Sequence, residues 1–124
     1  MNLKELIERL KWFHKQIGDK GTEPHKFKGD IRFELPSDDS TDEVNLKELR
    51  VTEKELEVHL VKVPDSSQES TILKNFIKEL EVHNSKEEVS FWFDGKKLEF
   101  KEFDVGRTMG CGCWLDAIII FKEL

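Results

Sequence analysis

Trp114-Leu115-Asp116-Ala117-Ile118-Ile119-Ile120-Phe121 decides the fold. It holds one charged residue, Asp116, among seven apolar ones, with three β-branched side chains in succession. Such a run reads as a strand covered on both faces. An edge strand rarely exposes so much apolar surface, so the sequence places this segment inside a sheet. The residues before it, Gly106-Arg107-Thr108-Met109-Gly110-Cys111-Gly112-Cys113, hold both cysteines and three of the seven glycines. They read as a glycine-rich bend that delivers the final strand into the sheet.

Further upstream, Val89, Phe91 and Phe93 alternate with polar residues, Asp94-Gly95 is a turn signal, and Leu98 and Phe100 resume the alternation. This predicts a hairpin. Ile72, Leu73, Phe76, Ile77 and Leu80 form the apolar face of a helix, with capping spacings at Asp65, Ser66, Ser67, Gln68 and Glu69 and a stop at Asn84. Leu56, Val58 and Leu60 sit at period two ahead of Pro64, and Leu49 and Val51 precede them across Thr52-Glu53-Lys54-Glu55. Two strands joined by a short turn follow, with a helical alternative open for Leu46 to Val51. Ile31-Arg32-Phe33-Glu34-Leu35 alternates up to Pro36 and predicts another strand. Leu3, Leu6, Ile7, Leu10, Phe13 and Ile17 fall on one helical stripe between a capping Asn2 and a terminating Gly18. Asp19 to His25 and Pro36 to Glu43 read as loops, the second of them acidic.

These elements predict one α+β domain over residues 1–124, in the order α-β-β-β-α-β-β-β. The expected architecture is a mostly antiparallel sheet of five or six strands with two helices packed on one face. At 124 residues, 37% of them hydrophobic, the chain is long enough to bury a core without disulfides or metal. The formal charge of −6 disfavours a nucleic-acid or anionic-membrane binder, since either role needs a basic stripe. The mixed charges of Met1 to Arg9 leave no apolar signal segment, and two closely spaced cysteines suit a reducing cytoplasm.

Three kinds of chemistry are legible. Cys111 and Cys113 would point to the same face of an extended segment, so both sulfurs could reach one zinc or copper ion or exchange thiols. That is half a ligand set, and His14, His25, His59 and His83 are too scattered to complete it. Cys111-Gly112-Cys113-Trp114 is one residue short of the string around the papain-like nucleophile, and every histidine precedes it. The glycines lack the Gly-Lys-Ser/Thr of a phosphate loop. Counted from Asp38, an EF-hand loop would need glycine at Glu43 and glutamate at Leu49, so calcium is not indicated either.

The third chemistry is electrostatic. Asp38, Asp39, Asp42 and Glu43 form an acidic loop, and Glu55, Glu57 and His59 share one face of a strand, with His59 expected at the surface. Both are candidate contacts for a protein partner with a basic surface. In profile this resembles the type of small acidic protein represented by bacterial toxin immunity proteins and phage inhibitors of host defences. The type implies a cytoplasmic binding protein that occludes its partner, and a homo-oligomer is left open. The alternative is a thiol-dependent metal or redox protein centred on Cys111 and Cys113. A ligand pocket lined by Phe33, Phe76, Phe91 and Trp114 is a further candidate.

Overall fold

The computed structural model describes residues 1–18, 29–36, 43–64, 70–107 and 115–122. The first helix, α1 (Leu3–Ile17), starts where the sequence places it: Asn2 Oδ1 accepts from Glu5 N at 2.8 Å. It ends at Gly18, whose φ of 77° and N–H to His14 O turn the chain away. Leu3, Leu6, Leu10, Phe13 and Ile17 are buried. Asn2→Ala should cost about 1 kcal/mol in chemical denaturation; a loss near zero would mean that the packed stripe alone holds the first turn. The preceding residues add anchors, because Val89 N donates to Met1 O and Leu3 N to Glu87 O.

Strand β1 (Asp30–Glu34) precedes the long hairpin of β2 (Glu43–Val51) and β3 (Glu55–Val63). Thr52 closes that hairpin, its Oγ1 accepting from Lys54 N and Glu55 N. The helical alternative for Leu46 to Val51 is therefore overturned, and its origin is visible. A bulge at Lys47 shifts the register so that Leu46 opposes Leu60 and Leu49 opposes Val58. Two inward leucines three residues apart imitate a helical period.

A two-residue strand, β4 (Thr71–Ile72), comes next and leads directly into α2 (Leu73–Glu81). The sequence starts this helix earlier. Ile72 instead pairs with Asp30 in β4, and Leu73 N donates to Gly29 O at 2.8 Å, a main-chain bond that replaces a side-chain cap. The expected capping residues Asp65 to Glu69 lie outside the described residues. Asn84 serves the turn after the helix, where its Oδ1 accepts from Lys86 N.

Strands β5 (Glu88–Phe93) and β6 (Lys96–Leu98) form the expected hairpin, with Asp94 and Gly95 both at positive φ. The return strand does not run on to Phe100, however. It breaks at Glu99, and β7 (Phe100–Arg107) belongs to a different sheet, paired with β8 (Leu115–Phe121). Lys122 N donates to Glu99 O at the crossing.

The single antiparallel sheet is thereby corrected to two mixed four-stranded sheets. Sheet I has the order β4-β1-β8-β7 and sheet II the order β2-β3-β5-β6. The parallel pairs, β1 with β8 and β3 with β5, join strands far apart in sequence. Turn residues announce hairpins but carry no trace of such distant pairings. The final strand does lie inside its sheet, between β1 and β7. The inner faces of both sheets and the apolar faces of both helices share one buried cluster, with Phe76 of α2 meeting Phe33 of β1 edge-on at 5.9 Å.

Candidate functional site

Glu55, Glu57 and His59 share the outer face of sheet II, as their period-two spacing requires. Their surroundings were not legible. His59 Nε2 donates to Glu57 Oε1 at 2.8 Å and its ring stacks on Trp92, interplanar angle 14°, which leaves it half-buried and not at the surface as expected. Trp92 Nε1 in turn donates to Ser90 Oγ. Glu55 meets Lys97 of β6 at 3.6 Å, and Glu48 of β2 accepts from Arg50 Nε at 2.9 Å. Glu48, Glu55 and Glu57 of this face thus each have a cation or a histidine of the same chain beside them.

The Arg50 hydrogen bond, with the charges of Arg50, Lys47 and His59, holds the Glu48 carboxyl below the usual range against a smaller effect of burial. A lowered folded-state pKa contributes stability above the unfolded value and loses it as pH falls through the folded one. Glu48 is open to solvent, so the direction shows in its own titration and not in the unfolding curve. Arg50→Gln should raise the Glu48 pKa in carboxyl NMR; an unmoved titration would assign the shift to Lys47 and His59.

Glu43 opens β2 at the opposite end from this group. It opposes Val63, eight positions along β3 from Glu55, roughly 26 Å away. The structure thus separates Glu43 from Glu55, Glu57 and His59. Asp38, Asp39 and Asp42 lie outside the described residues, as do Cys111 and Cys113. Among the described residues no group of three His, Cys, Asp or Glu side chains is gathered to hold a metal ion, and no helix is long and apolar enough to cross a membrane.

The outer face of sheet I holds charges that sequence reasoning passed over. Register places its side chains in three lateral rows across β1, β8 and β7: Asp30, Asp116 and Gly106, then Arg32, Ile118 and Asp104, then Glu34, Ile120 and Glu102. Asp30 and Asp116 are buried, and Arg32 Nε reaches Asp116 Oδ2 at 2.7 Å. A Cβ added at Gly106 would stand 2.7 Å from both Arg32 Nη2 and Ile118 Cδ1, so the glycine makes the space in which the guanidinium lies. Gly106→Val should cost about 2 kcal/mol in chemical denaturation by forcing both groups aside. The available signal was the lone aspartate of an apolar strand, since a buried charge requires a partner.

The aromatic candidates for a ligand pocket fill the core instead. Phe33, Phe76 and Phe91 are buried, the last against Phe121 at 5.2 Å, and Trp114 lies outside the described residues. An open groove of about 460 Å³ does separate the β2 bulge from the last turn of α2, with Leu46, Leu49 and Val82 among its walls. Compared with family models, curated proteins and solved structures, the chain gives no match.

Proposed function

We propose that this chain is a cytoplasmic protein-binding module that occludes a basic surface of a partner protein, in the manner of immunity proteins and phage inhibitors. The observation that carries the reading is how the carboxylates are matched. On sheet II, Glu48, Glu55 and Glu57 are answered by Arg50, Lys97 and His59. On sheet I, Glu34, Glu102 and Asp104 are exposed and make no ion pair among the described residues, while Arg32 is engaged by Asp116. Net negative charge is therefore left over on one face, where it accelerates encounter with a cationic partner. In the sequence the acidic segment Asp38 to Glu43 follows Glu34 by way of Leu35, Pro36 and Ser37. Glu55, Glu57 and His59 stay in the proposal as a second contact that offers the Trp92 stack and little net charge.

Immobilised full chain should retain a discrete basic protein from a lysate of the native host and release it at raised salt. Glu34→Gln/Glu102→Gln/Asp104→Asn should weaken retention at least tenfold, and Asp38→Asn/Asp39→Asn/Asp42→Asn should slow association in a salt-dependent way. Equal retention by wild type and both variants would sink the electrostatic reading.

The thiol-dependent alternative draws on one observation. Arg107 pairs with Leu115, so the Cys-Gly-Cys string falls in the sequence between β7 and β8, outside the described residues. Elemental analysis and thiol titration of fresh protein test it; metal-free protein with thiols unreactive until denaturation removes it.

A further inference from the structure

We infer that the open edge of β7 is a strand-addition site for an extended segment of the partner that carries Lys or Arg at alternate positions. The inference rests on the basic-partner reading above and adds to it the mode of binding. Among the described residues β7 pairs with β8 on one side and with no strand on the other. Its eight residues, Phe100–Arg107, give an edge of roughly 26 Å with main-chain donors and acceptors facing out. Val105 N–H is held by the carboxylate of its own neighbour, Asp104 Oδ1, at 2.8 Å, a local substitute for a strand partner.

The side chains along this edge select the occupant. A second copy of the chain is the first alternative, and the edge opposes it. In antiparallel pairing, directly opposed residues share the same hydrogen-bonding type, so two copies of β7 related by a two-fold axis must centre on a residue. Centred on Glu102, that residue faces its own copy. Centred on Asp104, the two aspartates face each other. Centred on Phe103, Glu102 faces Asp104 twice. Three of the four central registers thus oppose like charges, which is destabilising; the fourth, centred on Val105, sets Asp104 against Gly106, which offers it no cation.

A strand with cations at the same positions converts each repulsion into an attraction. Glu102 and Asp104 are exposed and lie two residues apart on the outer face, so cations at alternate positions meet both. The inner side asks for apolar residues instead. There the Arg9 guanidinium covers the Phe103 ring at 5.3 Å and the Phe13 ring at 5.8 Å, which repels a second cation. Trp12 meets Phe13 edge-on and is 52% exposed, leaving aromatic surface for an apolar side chain to cover. The two sides together specify an alternating cationic and apolar strand, the pattern of main-chain pairing with side-chain selection that defines strand addition.

The test uses the full chain and a labelled, end-capped nine-residue peptide of alternating Lys and Val, with binding read by fluorescence anisotropy and the site by amide NMR shifts. We expect shifts concentrated at Glu102 to Val105. Affinity should fall at least tenfold when alternate peptide amides are N-methylated, when Glu replaces Lys, or when the chain carries Glu102→Lys/Asp104→Lys. The milder Glu102→Gln/Asp104→Asn should fall between, and circular dichroism checks that these exposed substitutions leave the fold intact. Equal binding of the N-methylated peptide overturns strand addition while leaving the basic-partner reading in place. No preference for Lys over Glu peptide, or shifts located away from β7, also overturns it. Failure of the salt-labile capture from lysate would instead remove the reading on which the inference rests.

Discussion

Phe76→Ala is expected to destabilise the protein by about 4 kcal/mol, the largest effect of any single change considered. Phe76 stands on the buried face of α2 with no exposed surface, and its ring meets the edge or face of Phe33 at 88°. Truncation removes the transfer free energy of a whole benzyl group and leaves a cavity that helix and strand cannot both close. Chemical denaturation should show a lower midpoint with an unchanged slope. A loss below about 1 kcal/mol would mean that the space around Phe33, Phe76 and Phe91 is hollow, and the ligand-pocket candidate would return.

The second large effect is expected at Arg32. Arg32→Met keeps much of the aliphatic stem over Gly106 and Ile118 but removes the cation 2.7 Å from the fully buried Asp116. A buried carboxylate that loses its cation costs about 3 kcal/mol, more than the intact pair contributes over an apolar replacement. Asp116→Leu in the same chain should recover most of the loss, which a double-mutant cycle measures. If the double variant is no more stable than Arg32→Met, the loss does not come from leaving Asp116 without the Arg32 cation. Arg32 is 33% exposed at its side chain, so water can reach the guanidinium when Asp116 alone is replaced. That single change should be the milder of the two.

These two positions differ in how far the sequence announces them. Phe76 belongs to a helical stripe and its burial follows from period alone. Arg32 reads as the polar, outward position of a half-buried strand, and outward it does point. Its partner is 84 residues away in sequence, on a strand that pairs with β1 in parallel, so no local rule connects the two. The same distinction holds for the surface. Glu55, Glu57 and His59 share one face, as the alternation of a strand requires. That Lys97 and Trp92 would stand beside them depended on β5 joining β3 and β6 joining β5, which sets one cation against Glu55 on a face that the sequence presents as acidic. The carboxylates with no ion pair among the described residues, Glu34, Glu102 and Asp104, read in the sequence like the rest of its acidic background for the same reason.

The lower boundary of α2 and the character of β2 show a further limit. Ile72 fits the apolar face of the helix by period, yet the main chain of β1 claims it for β4. Leu46 and Leu49 fit a helix by spacing, yet a single bulged residue, Lys47, sets that spacing within a strand. In each case a hydrogen bond to a pairing strand outcompetes a local preference of a few tenths of a kcal/mol.

Taken alone, the order of amino acids determined α1 from cap to cap, the Asp94-Gly95 hairpin, the α+β class and the interior place of Leu115 to Phe121. Each of these depends on residues within a turn or two of one another, where dihedral preference and hydrophobic period act directly. Only the tertiary structure decided that there are two mixed sheets, that one strand path is shared between them at Glu99, and that β7 has an open edge among the described residues. Those outcomes depend on which strands meet across long stretches of chain. That choice is made by the fit of whole apolar faces and buried charges such as Arg32 with Asp116, and not by any local motif.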